Sequence, residues 1–342
     1  MNVNSKRVKA LFKLGLHLKK FTKENSEYSD LQKSVEKAKT HNRWFTQKNI
    51  EEVFSSWGSI LNPNHIEKWL EKYNLKHIEK PKTIALILAG NIPMVGFHDI
   101  ICVWISGHNA QIKCASKDES LLPYVTGFLE NETGDSAFVY TNHPFTFFDA
   151  VIATGSNNSA RYFNHYFGKY PHIIRKNRNG VAVLNGGESK DQLENLGNDI
   201  LQYFGLGCRN VSKVYLPNKY NLNSIFGGLY PHSKVIENAK YANNYDYNKA
   251  VFLMSEYVFL ENGFFMIRQS KEFSAPIACL HYEYYSNKQD LKKHLKENRE
   301  AIQCVVSNMQ LEGEIDFGNA QKPNLWDYAD GIDTLLFINN LN

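Results

Sequence analysis

Cys208 is the residue best suited to covalent chemistry. It sits in Gly205-Leu206-Gly207-Cys208, where two glycines let the backbone approach a ligand closely. This turn joins a helical pattern to a strand pattern, a place where a side chain can project into a cleft. Arg209 follows, and an adjacent positive charge favours the thiolate. No histidine lies near in sequence, so no local Cys–His pair is indicated. The competing reading is a structural cysteine buried in a Gly-rich turn. Cys102, Cys114 and Cys279 lie in apolar patterns that suit a core. The chain has 5 cysteines, an odd number with no close pair, so neither a disulfide framework nor a metal site is expected.

Three further positions carry polar chemistry at strand ends. Gly155-Ser156 closes one strand and opens a helix, whose start offers N–H groups and a positive dipole end to a phosphate. Ser156 is equally a plain helix cap. Lys113 ends another strand, where a cation can hold a ribose hydroxyl or a phosphate, or simply stand in water. Asn91 follows Gly90 at a third strand end. Its amide can donate to an oxyanion, and without that task it is a turn residue.

The elements that must position these residues follow from apolar patterning. Ile84 to Leu88 is a continuous apolar run ended by Gly90, as in a strand covered on both faces. A helix pattern runs from Val95 to Ile105, a strand from Ala110 to Cys114 and a helix from Ser120 to Glu130. Strands at Ala137–Tyr140 and Ala150–Ala153 follow, then a helix from Ser156 to Phe167. Strands alternating with helices at this spacing predict a parallel sheet, whose ligands bind at the carboxyl ends of the strands. A second α/β unit is expected from Gly180. It has a strand over Val181–Leu184, a helix over Asp191–Phe204 and a strand over Val211–Leu216. Beyond it come a helix near Ser233–Tyr241, a hairpin around Asn262-Gly263, a strand over Ile277–Tyr284 and a helix after Asn287. The tail from Phe317 is rich in turn residues. Residues 1–80 read as mostly helical, a cover on the main body or, alternatively, a basic amphipathic surface for membranes.

Composition narrows the classes. With 342 residues, 43% apolar and 22% charged, the chain is a folded protein of two or three domains. Net charge is +4, too small an excess to imply nucleic acid. No apolar run approaches a membrane span, and the N-terminus lacks a signal core, so the expected compartment is the cytosol. The Asn-x-Ser/Thr triplets at Asn131, Asn157 and Asn210 then read as chance.

Five segments stand in order, Leu88-Ala-Gly-Asn-Ile-Pro93, Ile112-Lys-Cys-Ala-Ser-Lys-Asp118, Ile152-Ala-Thr-Gly-Ser-Asn157, Tyr203-Phe-Gly-Leu-Gly-Cys-Arg-Asn-Val-Ser212 and Tyr328-Ala-Asp-Gly-Ile-Asp-Thr334. In that order they resemble the LuxC-like acyl-CoA reductases, a branch of the aldehyde dehydrogenase superfamily. The resemblance covers roughly residues 80 to 342 and is most specific from Ile173 to Ser212. It implies an α/β, aldehyde-dehydrogenase-like fold with an N-terminal helical segment (1–80) and a Rossmann-like nicotinamide domain (81–178). An α/β catalytic domain (179–315) and a C-terminal return or oligomerisation segment (316–342) complete it. By the same resemblance Cys208 falls on the nucleophile and Asn91 on the oxyanion amide. Lys113 falls on the lysine of the adenosine ribose, and Gly155 and Ser156 on the pair beside the pyrophosphate. Glu272, in Glu272-Phe-Ser-Ala-Pro276, resembles the glutamate of the nicotinamide ribose, within a degraded motif.

Two departures sharpen the expectation. The place of the water-activating glutamate of oxidising relatives is here near Ile174, in Ile174-Arg175-Lys176-Asn177, which holds no carboxylate. Three residues after the ribose lysine, where NAD-preferring relatives often carry glutamate, stands Ser116, followed by Lys117. Losing an anion and gaining a cation suits a 2′-phosphate, so NADPH is expected over NADH, with no metal. The expected reaction is reduction of a fatty acyl thioester to the aldehyde through an acyl-Cys208 intermediate. The acyl donor is CoA or a partner acyl-protein synthetase, and the assembly a homodimer or larger. The alternatives are a superfamily enzyme acting on a small acyl substrate, and a non-catalytic acyl carrier.

Overall fold

The protein is described by a computed structural model covering residues 3–22, 25–75, 78–116 and 118–341. The chain forms two compact units. One contains residues up to Lys176 together with those from Asn324, and the other runs from Asn177 to Pro323.

The first unit opens with four helices, α1 (Val3–Lys19), α2 (Ser29–His41), α3 (Gln47–Ile60) and α4 (Pro63–Leu70). They are packed rather than detached. Leu11, Leu14 and Leu18 of α1 are buried, and Arg7 donates to the Trp104 carbonyl while pairing with Asp135 at 3.0 Å. Then follow β1 (Thr83–Ile87), α5 (Phe97–Ile105), β2 (Asn109–Lys113), α6 (Leu121–Thr133), β3 (Phe138–Tyr140), β4 (Ala150–Thr154), α7 (Asn157–Phe167) and β5 (His172–Arg175). The strands make a parallel sheet in the order β3-β2-β1-β4-β5. This is a doubly wound sheet, and its order reverses between β1 and β4. Ile84, Ala85 and Leu86 are fully buried, as expected of a central parallel strand. A C-terminal helix, Thr334–Asn339, packs against α5. The turn-rich tail therefore ends in a short helix that patterning did not predict.

A buried ion pair ties this unit together. Arg175 on β5 donates to both carboxylate oxygens of Asp99 on α5, at 2.6 and 3.0 Å, and to the Thr334 hydroxyl at 2.8 Å. Arg175 is 3% exposed, so the bidentate geometry offsets the cost of removing both charges from water.

The second unit contains β6 (Asn179–Val183), α8 (Lys190–Leu201), β7 (Val211–Pro217), α9 (Leu222–Leu229), α10 (Ala239–Met254), β8 (Phe259–Glu261), β9 (Met266–Gln269), β10 (Cys279–Tyr285), α11 (Lys288–Glu297), β11 (Ile302–Ser307) and β12 (Glu314–Ile315). Its sheet has the order β12-β11-β6-β7-β10-β9-β8, parallel except for the β8–β9 hairpin at Asn262-Gly263. Two boundaries differ from the patterning. The helix predicted to Phe204 ends at Leu201, because Tyr203 and Phe204 take left-handed backbone angles of φ 52° and 60°. The helix predicted near Ser233–Tyr241 is a 3-10 segment, Tyr230–Glu237, before α10 opens at Ala239 on an Asn238 cap.

Candidate active site

The first unit gathers its polar strand ends at one edge. In register, Ile87 of β1 faces Lys113 of β2 on one side and Ala153 of β4 on the other. Asn91, Lys113, Gly155 and Ser156 thus all lie at the carboxyl ends of three adjacent parallel strands. The loops are close-packed. A Cβ on Gly90 would come within 2.6 Å of Ala115 Cβ, and one on Gly155 within 2.8 Å of Ser159 Cβ. Gly90 therefore presses the Asn91 loop onto the loop after Lys113, and Gly155 lets α7 start hard against β4. Ser156 caps α7 by accepting from the Ser159 N–H at 3.2 Å, and no acidic residue stands in the first turn. An exposed helix start at the reversal point of a doubly wound sheet, without a competing carboxylate, fits a dinucleotide phosphate. Ser116 is exposed, and Lys117 lies outside the described residues.

Asp118 was not singled out by its spacing, yet it organises this edge. It is 1% exposed and accepts from the Met94 N–H at 2.9 Å. Met94 itself has φ 55°. The carboxylate thus clamps the end of the Asn91 loop in a left-handed turn. Burial pushes the Asp118 pKa up to about 7, only partly opposed by the Met94 bond.

In the second unit Cys208 is exposed, whereas Cys102, Cys279 and Cys304 are buried and Cys114 is half-buried. Burial pushes the Cys114 and Cys279 thiols up to about 12, the Cys304 thiol up to about 11, and the Cys102 thiol well above its ordinary value. The turn before Cys208 is built from three successive left-handed residues, Tyr203, Phe204 and Gly205. Each non-glycine there costs about 1–2 kcal/mol, so the surroundings must over-determine the shape. Asn210 does much of this and is 2% exposed. Its amide donates to the carbonyls of Asp199 (3.1 Å), Ile200 (3.3 Å) and Gln202 (2.9 Å), and its Oδ1 accepts the Gly207 N–H at 2.7 Å.

The segment after Phe317 closes over the same turn. Arg209 Nε donates to the Ala320 carbonyl at 2.5 Å. Buried Asp199 accepts from the N–H groups of Gly318 (2.7 Å) and Ala320 (2.9 Å). Asn210 gave no usable sequence signal. It is half of a chance Asn-x-Ser triplet and bonds mainly backward along its own chain.

Glu272 is exposed on the loop between β9 and β10, and its N–H donates to the Ser270 hydroxyl at 3.2 Å. The place of the missing carboxylate falls on β5. Ile174 packs there with Ala85, Val151 and Ala153, and Arg175 is engaged by Asp99. The acids that follow in sequence, in the second unit, are engaged locally. Glu188 accepts from the N–H groups of Asn185 and Gly186, and Glu194 pairs with Lys190 at 3.6 Å. Glu188 lies after β6, at the carboxyl end of the sheet. Cys208 precedes β7, at the opposite end of a parallel neighbour, about 20 Å along the strand. A cavity of about 270 Å³ beside Glu188, lined also by Pro217 and Tyr220, is therefore remote from the thiol.

Among the described residues no cluster of acids, histidines and cysteines could hold a metal ion, and no helix is long and apolar enough to cross a membrane.

No family model and no curated protein matches this sequence. Solved structures do. The chain is similar to the aldehyde dehydrogenase KauB from Pseudomonas aeruginosa, at TM-score 0.62 and 11% identity over 89% of this chain and 72% of that one. It is also similar to the P. syringae indole-3-acetaldehyde dehydrogenase AldA, solved as a variant with NAD+ (0.63, 10%, over 92% and 74%). A third is aldehyde dehydrogenase 21 from Physcomitrella patens (0.60, 13%, over 90% and 73%). The fold is that of the aldehyde dehydrogenases. At such identities the likeness establishes architecture alone, and the chemistry rests on this chain's own residues.

Proposed function

We propose that this protein is an oxidoreductase that reduces an acyl thioester to an aldehyde, using NADPH and an acyl-Cys208 intermediate. The supporting observation is Cys208 itself, an exposed thiol on a turn held by Asn210, while four other thiols are buried or half-buried with raised pKa values. The thiolate attacks the thioester carbonyl. The new C–S bond forms, and the carbonyl electron pair moves to oxygen. It returns as the old C–S bond breaks and CoA leaves as thiolate, to be protonated by water. The Cys208 N–H serves the oxyanion, a role worth about 3–4 kcal/mol per donor elsewhere, and the resemblance gives Asn91 the same role. Lys113 and the start of α7 hold the adenosine ribose and pyrophosphate, and Glu272 the nicotinamide ribose. The nicotinamide, when bound, supplies hydride to the acyl carbon. Cys208 then departs as thiolate and the aldehyde is released. Structural neighbours solved with NAD+ support a nicotinamide cofactor, and Ser116 with Lys117 favours the 2′-phosphate form.

With no carboxylate over Ile174–Asn177, the acyl-enzyme lacks the general base that elsewhere contributes about 10²–10⁴-fold. Mixing the protein with a long-chain acyl-CoA and no cofactor should leave a stable adduct on the Cys208 peptide. Adding NADPH should discharge it as aldehyde. An adduct on another cysteine, or release of fatty acid without cofactor, would sink this reading. The neighbours are aldehyde dehydrogenases by name, which favours one second reading, oxidation of an aldehyde. In that case aldehyde with NADP+ should turn over to the free acid without CoA.

A further inference from the structure

Lys213 on β7 has no solvent exposure, and burial lowers its pKa against the opposing pull of Glu283. It pairs with Glu283 Oε2 at 2.5 Å and donates to the Ser270 carbonyl. A buried ion pair is often no more stabilising than apolar residues of the same volume, so stability alone gives little reason for it. Its neighbours supply another. Ser212 Oγ donates to the Phe273 carbonyl at 2.8 Å. His281 faces Lys213 in the β7–β10 register and meets the Glu272 carbonyl through Nδ1 at 3.1 Å. Burial lowers the His281 pKa, and a neutral ring must carry its proton on Nδ1 to make that bond. Arg268 Nη2 donates to the Ser270 hydroxyl at 3.3 Å, the same hydroxyl that receives the Glu272 N–H. Three buried or half-buried side chains therefore hold the carbonyls of residues 270, 272 and 273. Two of them stand on the strand that begins three residues after Cys208.

We propose that Lys213, with Ser212 and His281, is a positioning residue that fixes the Glu272 carboxylate relative to Cys208 for the ribose at the nicotinamide end of the cofactor. The inference rests on the reading of Glu272 given above. Lys213 does not touch the cofactor. It acts through the loop, whose tip at Lys271 and Glu272 is exposed while Phe273 beside it packs on the core and stacks on His294.

The test separates the two ends of the cofactor by binding rather than by turnover. Dissociation constants for NADPH and for adenosine 2′,5′-bisphosphate, which lacks the nicotinamide end, are measured on the full chain. Glu272→Gln is the reference and should weaken NADPH about tenfold while leaving the bisphosphate unchanged. Lys213→Met should reproduce that split, and Ser212→Ala should show it at about threefold. If Lys213→Met fails to fold, Ser212→Ala decides. A merely structural role would lower the melting temperature without separating the ligands. A split in Glu272→Gln with none in Lys213→Met or Ser212→Ala overturns the positioning role. No split in Glu272→Gln overturns the reading of Glu272 itself, and the positioning role with it.

Discussion

Replacing Asn210 tests whether the cysteine turn is held as described. Its side chain makes the work of about three hydrogen bonds, two amide hydrogens shared among three carbonyls and one acceptor for the Gly207 N–H. At about 1 kcal/mol net each, with a further penalty for buried groups left unsatisfied, Asn210→Ala should destabilise the turn by about 3–4 kcal/mol. Asn210→Asp has the same shape and keeps the Gly207 acceptor, but it turns an oxygen towards three carbonyls. Its carboxyl pKa should rise in the folded state. The folded protein then binds the proton more tightly than the unfolded chain, so the Asp variant loses stability as pH rises through the folded pKa. Its defect should be smaller at pH 5 than at pH 8. Two units in one chain make a single global melting transition a poor measure. The readout is hydrogen exchange of peptides spanning residues 199–210, together with the alkylation rate of Cys208. Acyl transfer should fall about 10²-fold if the thiol shifts by about 1 Å. If both variants protect the Gly207 amide as well as the parent does, the network is not what holds the turn.

Asp99→Ala leaves the Arg175 guanidinium buried without its carboxylate, so it should cost about 3–5 kcal/mol in denaturant unfolding of the first unit. Much of that should return in the Asp99→Leu/Arg175→Met double variant. The Asp118 pKa is raised to about 7 by burial, so its contribution to stability is fully present below about pH 4 and is lost as pH rises to about 7. Asp118→Asn should flatten the fall in stability between pH 5 and 8, and an unchanged slope would contradict the assignment. Ser116→Glu should move cofactor preference from NADPH towards NADH, read as the ratio of kcat/KM values. Equal efficiency of the parent with both cofactors would remove the basis for this.

What the sequence makes legible follows from where the information lies. β1 and β4 are readable because a parallel strand covered on both faces is a continuous apolar run, as in Ile84–Leu88, and β2 because Ala110 and Ile112 alternate with polar residues. Ser156 is readable because capping is local, and its partner is Ser159. β5 is hidden because His172 and Arg175 make it look polar. The group that accepts Arg175 is Asp99, 76 residues earlier. The end of α8 is misplaced because Tyr203 and Phe204 continue the apolar period, while their left-handed angles are set by Asn210 from beyond the turn. Nothing local in the strand over Val211–Leu216 marks Lys213 as buried. Glu283 and Ser270, which make its burial tolerable, lie 70 and 57 residues on.

The two units place their polar groups by different physics, which bears on how each tolerates change. At the first unit's edge the sheet register brings Asn91, Lys113 and Ser156 to neighbouring strand ends, small residues such as Gly90 and Gly155 set the close approaches, and one buried side chain, Asp118, clamps the Asn91 loop. Most of that geometry comes from backbone and apolar packing, so exchanging an edge side chain other than Asp118 should alter a contact without moving its neighbours. The thiol has no such support. Cys208 sits on a strained turn before a strand, at the opposite end from the one where parallel sheets usually bind ligands. Its position comes from side chains tied to backbone carbonyls, buried Asn210 behind the turn and half-buried Arg209 to Ala320 beside it. Such ties are directional and fail when a partner shifts, so precision here depends on a few polar residues. A substitution among them should therefore loosen the turn and depress the proposed acyl transfer together, whereas one in the β1 core should lower the stability of the first unit and leave the alkylation rate of Cys208 unchanged.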